Sequence, residues 1–205
     1  MSRDIPIIFS APMVQALLAG RKTMTRRLAQ TRISTGCEDD APAYRPSPWQ
    51  QVTPGDLLWV RENFAKVPAS AYRMSDGVQQ TICPNDPYYA AIYAAGWERS
   101  KPKWTPCIHM PLWASRLTLE VTAVKIERLQ DISDADALAE GMQEPSLREI
   151  GGELSQAAWS ERQVFSRLWK HLHGPDAWDA NPEVVALSFT VHQQNIDACK
   201  KAMAA

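Results

Sequence analysis

The chain has 205 residues, with 22 Lys plus Arg against 23 Asp plus Glu and a formal net charge of -1. That length suits one ordinary domain able to bury about two-thirds of its unfolded surface without metal or disulfide staples. A balanced charge excludes a general polyanion-coating role, so any anionic ligand must meet a local patch.

In chain order, Ile5 to Phe9 is a short apolar run read as a strand. Ser10 can cap a following helix with Pro12 in its first turn and Gly20 as its left-handed terminator. Arg21 to Arg27 is a polar run too β-branched and too charged to extend a buried helix. Gly36 to Pro54 reads as a long loop and Leu57 to Arg61 as a strand. Val67 to Pro87 is irregular, and Tyr88 to Tyr93 is a further strand. Ser115 to Arg128 alternates strongly, with a phase change near Thr122 and Ala123 that predicts a bulge and places Val124 and Ile126 on the apolar face.

Ser133 and Asp136 form a capping arrangement for a brief helix ending at Gly141. Ala158 to Leu172 is an amphipathic helix with Phe165, Leu168, Trp169 and Leu172 on one stripe. Val185 to Val191 alternates as a last strand. The expectation is an α+β fold with a barrel-like core over residues 1–194, loop insertions at about 30–54 and 67–87, and a tail at 195–205 forming a peripheral helix. No stretch approaches the roughly 18 apolar residues of a spanning helix, and MSRDIPIIFSAP lacks a secretory pattern, so a cytoplasmic protein with no membrane partner is expected.

Cys37, Cys83, Cys107 and Cys199 show no CxxC spacing, so neither a metal site, a cofactor nor a disulfide framework is expected. A nucleophilic Cys107 would rest only on His109 two residues on. Lys22, Thr25 and Glu140 are the candidate chemistry-bearing residues. A lysine can take a threonine proton only when burial or neighbouring cations depress its pKa, and Arg21, Arg26 and Arg27 are such cations. On a regular strand, however, Lys22 and Thr25 point to opposite faces, so joint action needs a kink. The plain alternative is a solvated basic turn or a phosphate clamp without chemistry, with Glu140 a surface carboxylate at a helix end.

LLAGRKTMTRR, GDLLWVRENF and SRLTLEVTAVKIERLQDIS followed by DALAEGM together resemble the ASCH family, whose fold is similar to the PUA domain, a small mixed β-barrel associated with RNA. The start at Ile5 to Phe9, IHMPLWASR and the NPxV before the last strand resemble phage or prophage members. One small bacterial member removes the acetyl group of N4-acetylcytidine with a lysine, a threonine three residues on and a distant glutamate. Matched residue by residue, the resemblance implies Lys22 as base, Thr25 as nucleophile and Glu140 as acid in a metal-independent amidohydrolase acting on a small nucleoside or nucleobase.

Further substrate-binding candidates are Arg21 and Arg26 near an oxyanion, Trp59 and Tyr93 for stacking, Arg61 and Glu62 at a base edge, and Arg116 at a phosphate or RNA. Each has an ordinary alternative as a core aromatic or surface ion pair. RNA binding through Arg21 to Arg27, or RNA cleavage by Lys22 and Glu140, are the competing readings.

Overall fold

The structure is a computed structural model that describes residues 2–33, 43–99, 102–142 and 160–204. Its elements are mixed α and β, and the strands form a five-stranded sheet in the order β1-β5-β9-β10-β2, a two-stranded ribbon β3-β4 and a three-stranded sheet β6-β8-β7. The strands are β1 Asp4–Ile8, β2 Met24–Leu28, β3 Gln30–Ile33, β4 Ala43–Pro46, β5 Leu57–Arg61, β6 Phe64–Pro68, β7 Thr81–Ile82, β8 Tyr89–Tyr93, β9 Thr118–Arg128 and β10 Glu183–His192. The helices are α1 Ala11–Leu18, α2 Asp134–Ala139, α3 Glu161–His173 and α4 Ile196–Met203. The α+β class stands. The large sheet has free edges at β1 and β2, so among the described residues it is open rather than a closed barrel.

The chain divides into two compact units, residues 1–20, 55–120 and 190–205 in the first and 21–54 and 121–189 in the second. In the first unit, β1 runs parallel to β5, which pairs antiparallel with the start of β9. Ile7, Val14, Leu17, Leu58, Val60, Leu117 and Leu119 fill its interior. Pro12 lies in the opening turn of α1, where its missing N–H costs nothing. The tail forms α4, whose Ile196 and Cys199 are buried, and the Asn195 amide donates to the carbonyls of Leu112 (2.8 Å) and Ser115 (3.0 Å).

In the second unit, β2 pairs antiparallel with β10, matching Thr25 to Leu187 and Arg26 to Ala186. Met142, Val164, Phe165, Trp169, Val185, Leu187 and Phe189 are its core. Helix α3 opens on a capping box in which Ser160 Oγ accepts from the Gln163 amide and Gln163 Oε1 from the Ser160 amide. Its buried stripe is Val164, Phe165 and Trp169, whereas Leu172, expected inside, is 62% exposed. The helix ends at Gly174, so Leu172 occupies the last turn with little left to pack against.

Two further expectations change. Part of the stretch read as a loop forms β4 and a 3₁₀ turn at Pro48–Gln51, because strand pairing with β3 overrides the local Pro and Gly signals. Residues 34–42 and 158–159 of those expectations lie outside the described residues. On strand β9 the expected inward placement fails at Ile126, which is 53% exposed, whereas Glu127 is only 8% exposed. A buried ion pair, described next, outweighs the hydrophobic pattern there.

Candidate functional site

The candidate site lies in the second unit and begins at two chain reversals. Gly20, at φ +69°, follows α1, and Lys22 then forms an isolated antiparallel bridge with Glu140. Helix α2 is capped by Ser133, whose Oγ accepts from the Asp136 amide at 3.1 Å. Glu140 is its C-terminal cap, and Gly141 at φ +86° takes the chain out of the helix. That left-handed conformation is strained for any side chain bearing a Cβ, which explains Gly at this position. The Thr23 amide donates to the Ala139 carbonyl at 2.8 Å and completes the clasp.

The clasp brings the Lys22 ammonium against Glu140. Lys22 Nζ donates to Glu140 Oε2 at 2.7 Å and to the Glu140 carbonyl oxygen at 3.0 Å. Both residues are buried, Lys22 at 2% exposure and Glu140 at 3%. Burial pushes the Lys22 ammonium below its ordinary value, Glu140 opposes that shift, and Arg27 and Arg26 add to it.

Arg26 holds the other oxygen of the same carboxylate. Its Nη1 donates to Glu140 Oε1 at 3.4 Å, its Nε and Nη2 to Glu127 Oε1 at 3.0 and 2.7 Å, and its Nη2 to Asp136 Oδ2 at 2.8 Å. Lys125 pairs with Glu127 from outside. Glu140 is thus fixed by a cation on each oxygen, and Arg26 by carboxylates from β9 and α2.

Arg26 was expected to face substrate or an oxyanion. Its side chain is 1% exposed and enclosed by the carboxylates of Glu127, Asp136 and Glu140. Arg21 is exposed. Thr25 is buried and lies one position before Arg26, and alternation along β2 assigns it to the face opposite Met24 and Arg26. Glu127 and Asp136 are the network members that sequence reasoning missed. Asp136 had a signal: it precedes Glu140 by four residues on one helix, which puts both on one face. Glu127 had none, because the neighbouring Ile126 satisfied the apolar pattern.

The remaining candidates belong to the first unit and form a separate arrangement. Arg116 donates from Nε and Nη2 to Glu62 Oε1 and Oε2 at 2.8 and 2.9 Å, and from Nη1 to Gln79 Oε1 at 2.8 Å. Its guanidinium lies 4.0 Å from the centroid of the Tyr93 ring, whose hydroxyl donates to the Ala114 carbonyl at 2.8 Å. Burial raises the Glu62 carboxyl against the pull of Arg116, and pushes the Tyr93 phenol up to about 12. Every polar end in this cluster meets a protein partner, which suits it to holding β5, β8 and the start of β9 together. Trp59 is overlaid by Arg61 at 5.3 Å, and Arg61 Nη2 donates to the Ile108 carbonyl.

Among the described residues, no group of three or more His, Cys, Asp or Glu is arranged to hold a metal ion, and no helix is long and apolar enough to cross a membrane. No family model, curated protein or solved structure matches this chain.

Proposed function

We propose that the Lys22–Glu140 pair is the proton-handling centre of an ASCH-type, PUA-like amidohydrolase that removes an acyl group from the N4 amide of a modified cytosine nucleoside. The observation that carries this reading is the 2.7 Å contact between two buried side chains 118 residues apart, at the lysine and glutamate the ASCH resemblance implies. A buried lysine whose pKa is pushed down is the form of lysine that can act as a base. The part of Thr25 rests on the GRKTMT motif.

The contact allows one proton to serve both steps. In the resting pair Lys22 is the ammonium and Glu140 the carboxylate. Transfer along the hydrogen bond makes Lys22 neutral and Glu140 an acid. Lys22, which precedes β2 and bridges to Glu140, then takes the Thr25 hydroxyl proton as the oxygen attacks the amide carbonyl, a step that requires the chain to turn between Lys22 and Thr25 so that the hydroxyl meets the amine, and Glu140 gives its proton to N4 as the C–N bond breaks. The cytosine amine departs and the acyl group stays on Thr25 as an ester. Water attacks that ester, Glu140 accepts the water proton, Lys22 returns a proton to the Thr25 oxygen, and the acid is released. Arg26 holds Glu140 in place throughout.

The competing nucleic-acid reading has less support, because Arg26, central to the basic run, is occupied by Glu127 and Asp136. The test is release of cytidine from N4-acetylcytidine and longer N4-acylcytidines, followed by chromatography. The expected result is turnover by the natural protein and its loss in Lys22→Met, Thr25→Ala and Glu140→Gln. Full turnover by Thr25→Ala would remove the ester step, and RNA cleavage without release of cytidine would favour the nuclease reading.

A further inference from the structure

The second unit also contains a cavity of about 550 Å³ whose lining includes Gln30, Tyr44, Arg128, Trp169, His173 and Glu183. That volume lies within the range of small-molecule sites. One wall is aromatic: Trp169 and His173 are stacked with centroids 4.3 Å apart and planes 34° apart, and Tyr44 is 57% exposed. Burial and the nearby Arg27 charge lower the His173 imidazole below its ordinary value.

Trp169 is 4% exposed, and its buried indole Nε1 has no hydrogen-bond acceptor among the described residues. A buried donor left without a partner costs about 1–3 kcal/mol, so an acceptor entering from the cavity recovers what the fold forgoes. Arg128 supplies a cation whose hydrogen bond, to the Asn181 carbonyl, is long at 3.5 Å. Glu183 and Gln30 can accept from a ring N–H or amine.

We infer that this cavity is a ligand site, separate from the Lys22–Glu140 pair, for a planar aromatic ring carrying an anionic group. The ring lies against Tyr44 and the Trp169–His173 stack, an acceptor on the ligand meets the indole N–H, and the anion meets Arg128. The inference does not depend on the proposed hydrolysis.

The test follows the tryptophan indole N–H signals by NMR, with the Trp169 signal assigned from Trp169→Phe. Two ligand classes are titrated, nucleoside monophosphates (AMP and CMP) and aromatic carboxylates (benzoate and indole-3-acetate), with adenosine, cytidine and indole as neutral counterparts. The expected result is a saturable shift of the Trp169 signal with a Kd below about 1 mM for one anionic class, and binding at least about tenfold weaker for its neutral counterpart. Arg128→Gln, a surface change that leaves the fold intact, weakens binding by about tenfold or more. No saturable shift with any anionic probe, or equal affinity in Arg128→Gln, overturns the inference. Which class binds identifies the source of the anion.

Discussion

The ammonium of Lys22 touches Glu140 twice, 2.7 Å from the carboxylate Oε2 and 3.0 Å from the backbone carbonyl oxygen of the same residue. The side chain therefore reports both the charge of Glu140 and the path of the chain at the end of α2. Removing the charge while keeping the shape separates these functions.

Glu140→Gln keeps the backbone contact and leaves Lys22 beside a neutral amide. Removing one partner of a buried pair typically costs about 3–5 kcal/mol. The expected result is a loss of that order in urea unfolding at pH 7. An unchanged midpoint would mean that the pair is not closed in solution.

Lys22 has a pH signature. Its folded pKa lies below the ordinary 10.5, so between the two values the unfolded chain binds more protons than the folded one. Stability contributed at this position therefore rises with pH across that window and is flat below it. Lys22→Met lacks the slope. The comparison is of unfolding free energies of the two proteins from pH 7 upward, and parallel curves would contradict the shift.

Arg26 cannot be replaced by a simple positive charge. Its planar guanidinium reaches Glu127, Asp136 and Glu140 at once, whereas a lysine offers a compact ammonium. Arg26→Lys is expected to lose about 1–3 kcal/mol and Arg26→Met more, since the latter leaves buried carboxylates uncompensated. Urea denaturation at pH 7 checks both losses.

Glu62 behaves oppositely to a typical surface carboxylate. Its folded pKa is raised above 4.5, so between that value and the folded one the native state holds the additional proton. Its contribution accordingly falls as pH rises through that window. Glu62→Gln removes the slope. Arg116→Met alone is expected to cost about 3–5 kcal/mol, and the double change Glu62→Leu with Arg116→Met to recover most of it, because a buried pair can be exchanged for apolar groups of similar volume. A double-mutant cycle measures the coupling.

Ser160→Ala removes one half of the capping box of α3. The expected loss is about 1 kcal/mol, read as a fall in melting temperature with the fold retained by circular dichroism.

The sequence by itself determined the local elements. Pro12 and Gly20 bracket α1, Ser133 and Gly141 bracket α2, and the spacing of Val185, Leu187, Phe189 and Val191 marks β10, since each of these signals acts within a few residues. It also placed Lys22 and Glu140 among the candidates, through a motif and its resemblance. Only the tertiary structure decided which charges meet. Ion pairing across 101 residues turned Glu127 inward and Ile126 outward against the apolar pattern, and the same pairing left Arg26 buried among carboxylates. Glu62 and Arg116, 54 residues apart, likewise became partners of each other. A desolvated charge is governed by its nearest opposite charge in space, and sequence spacing carries no measure of that distance.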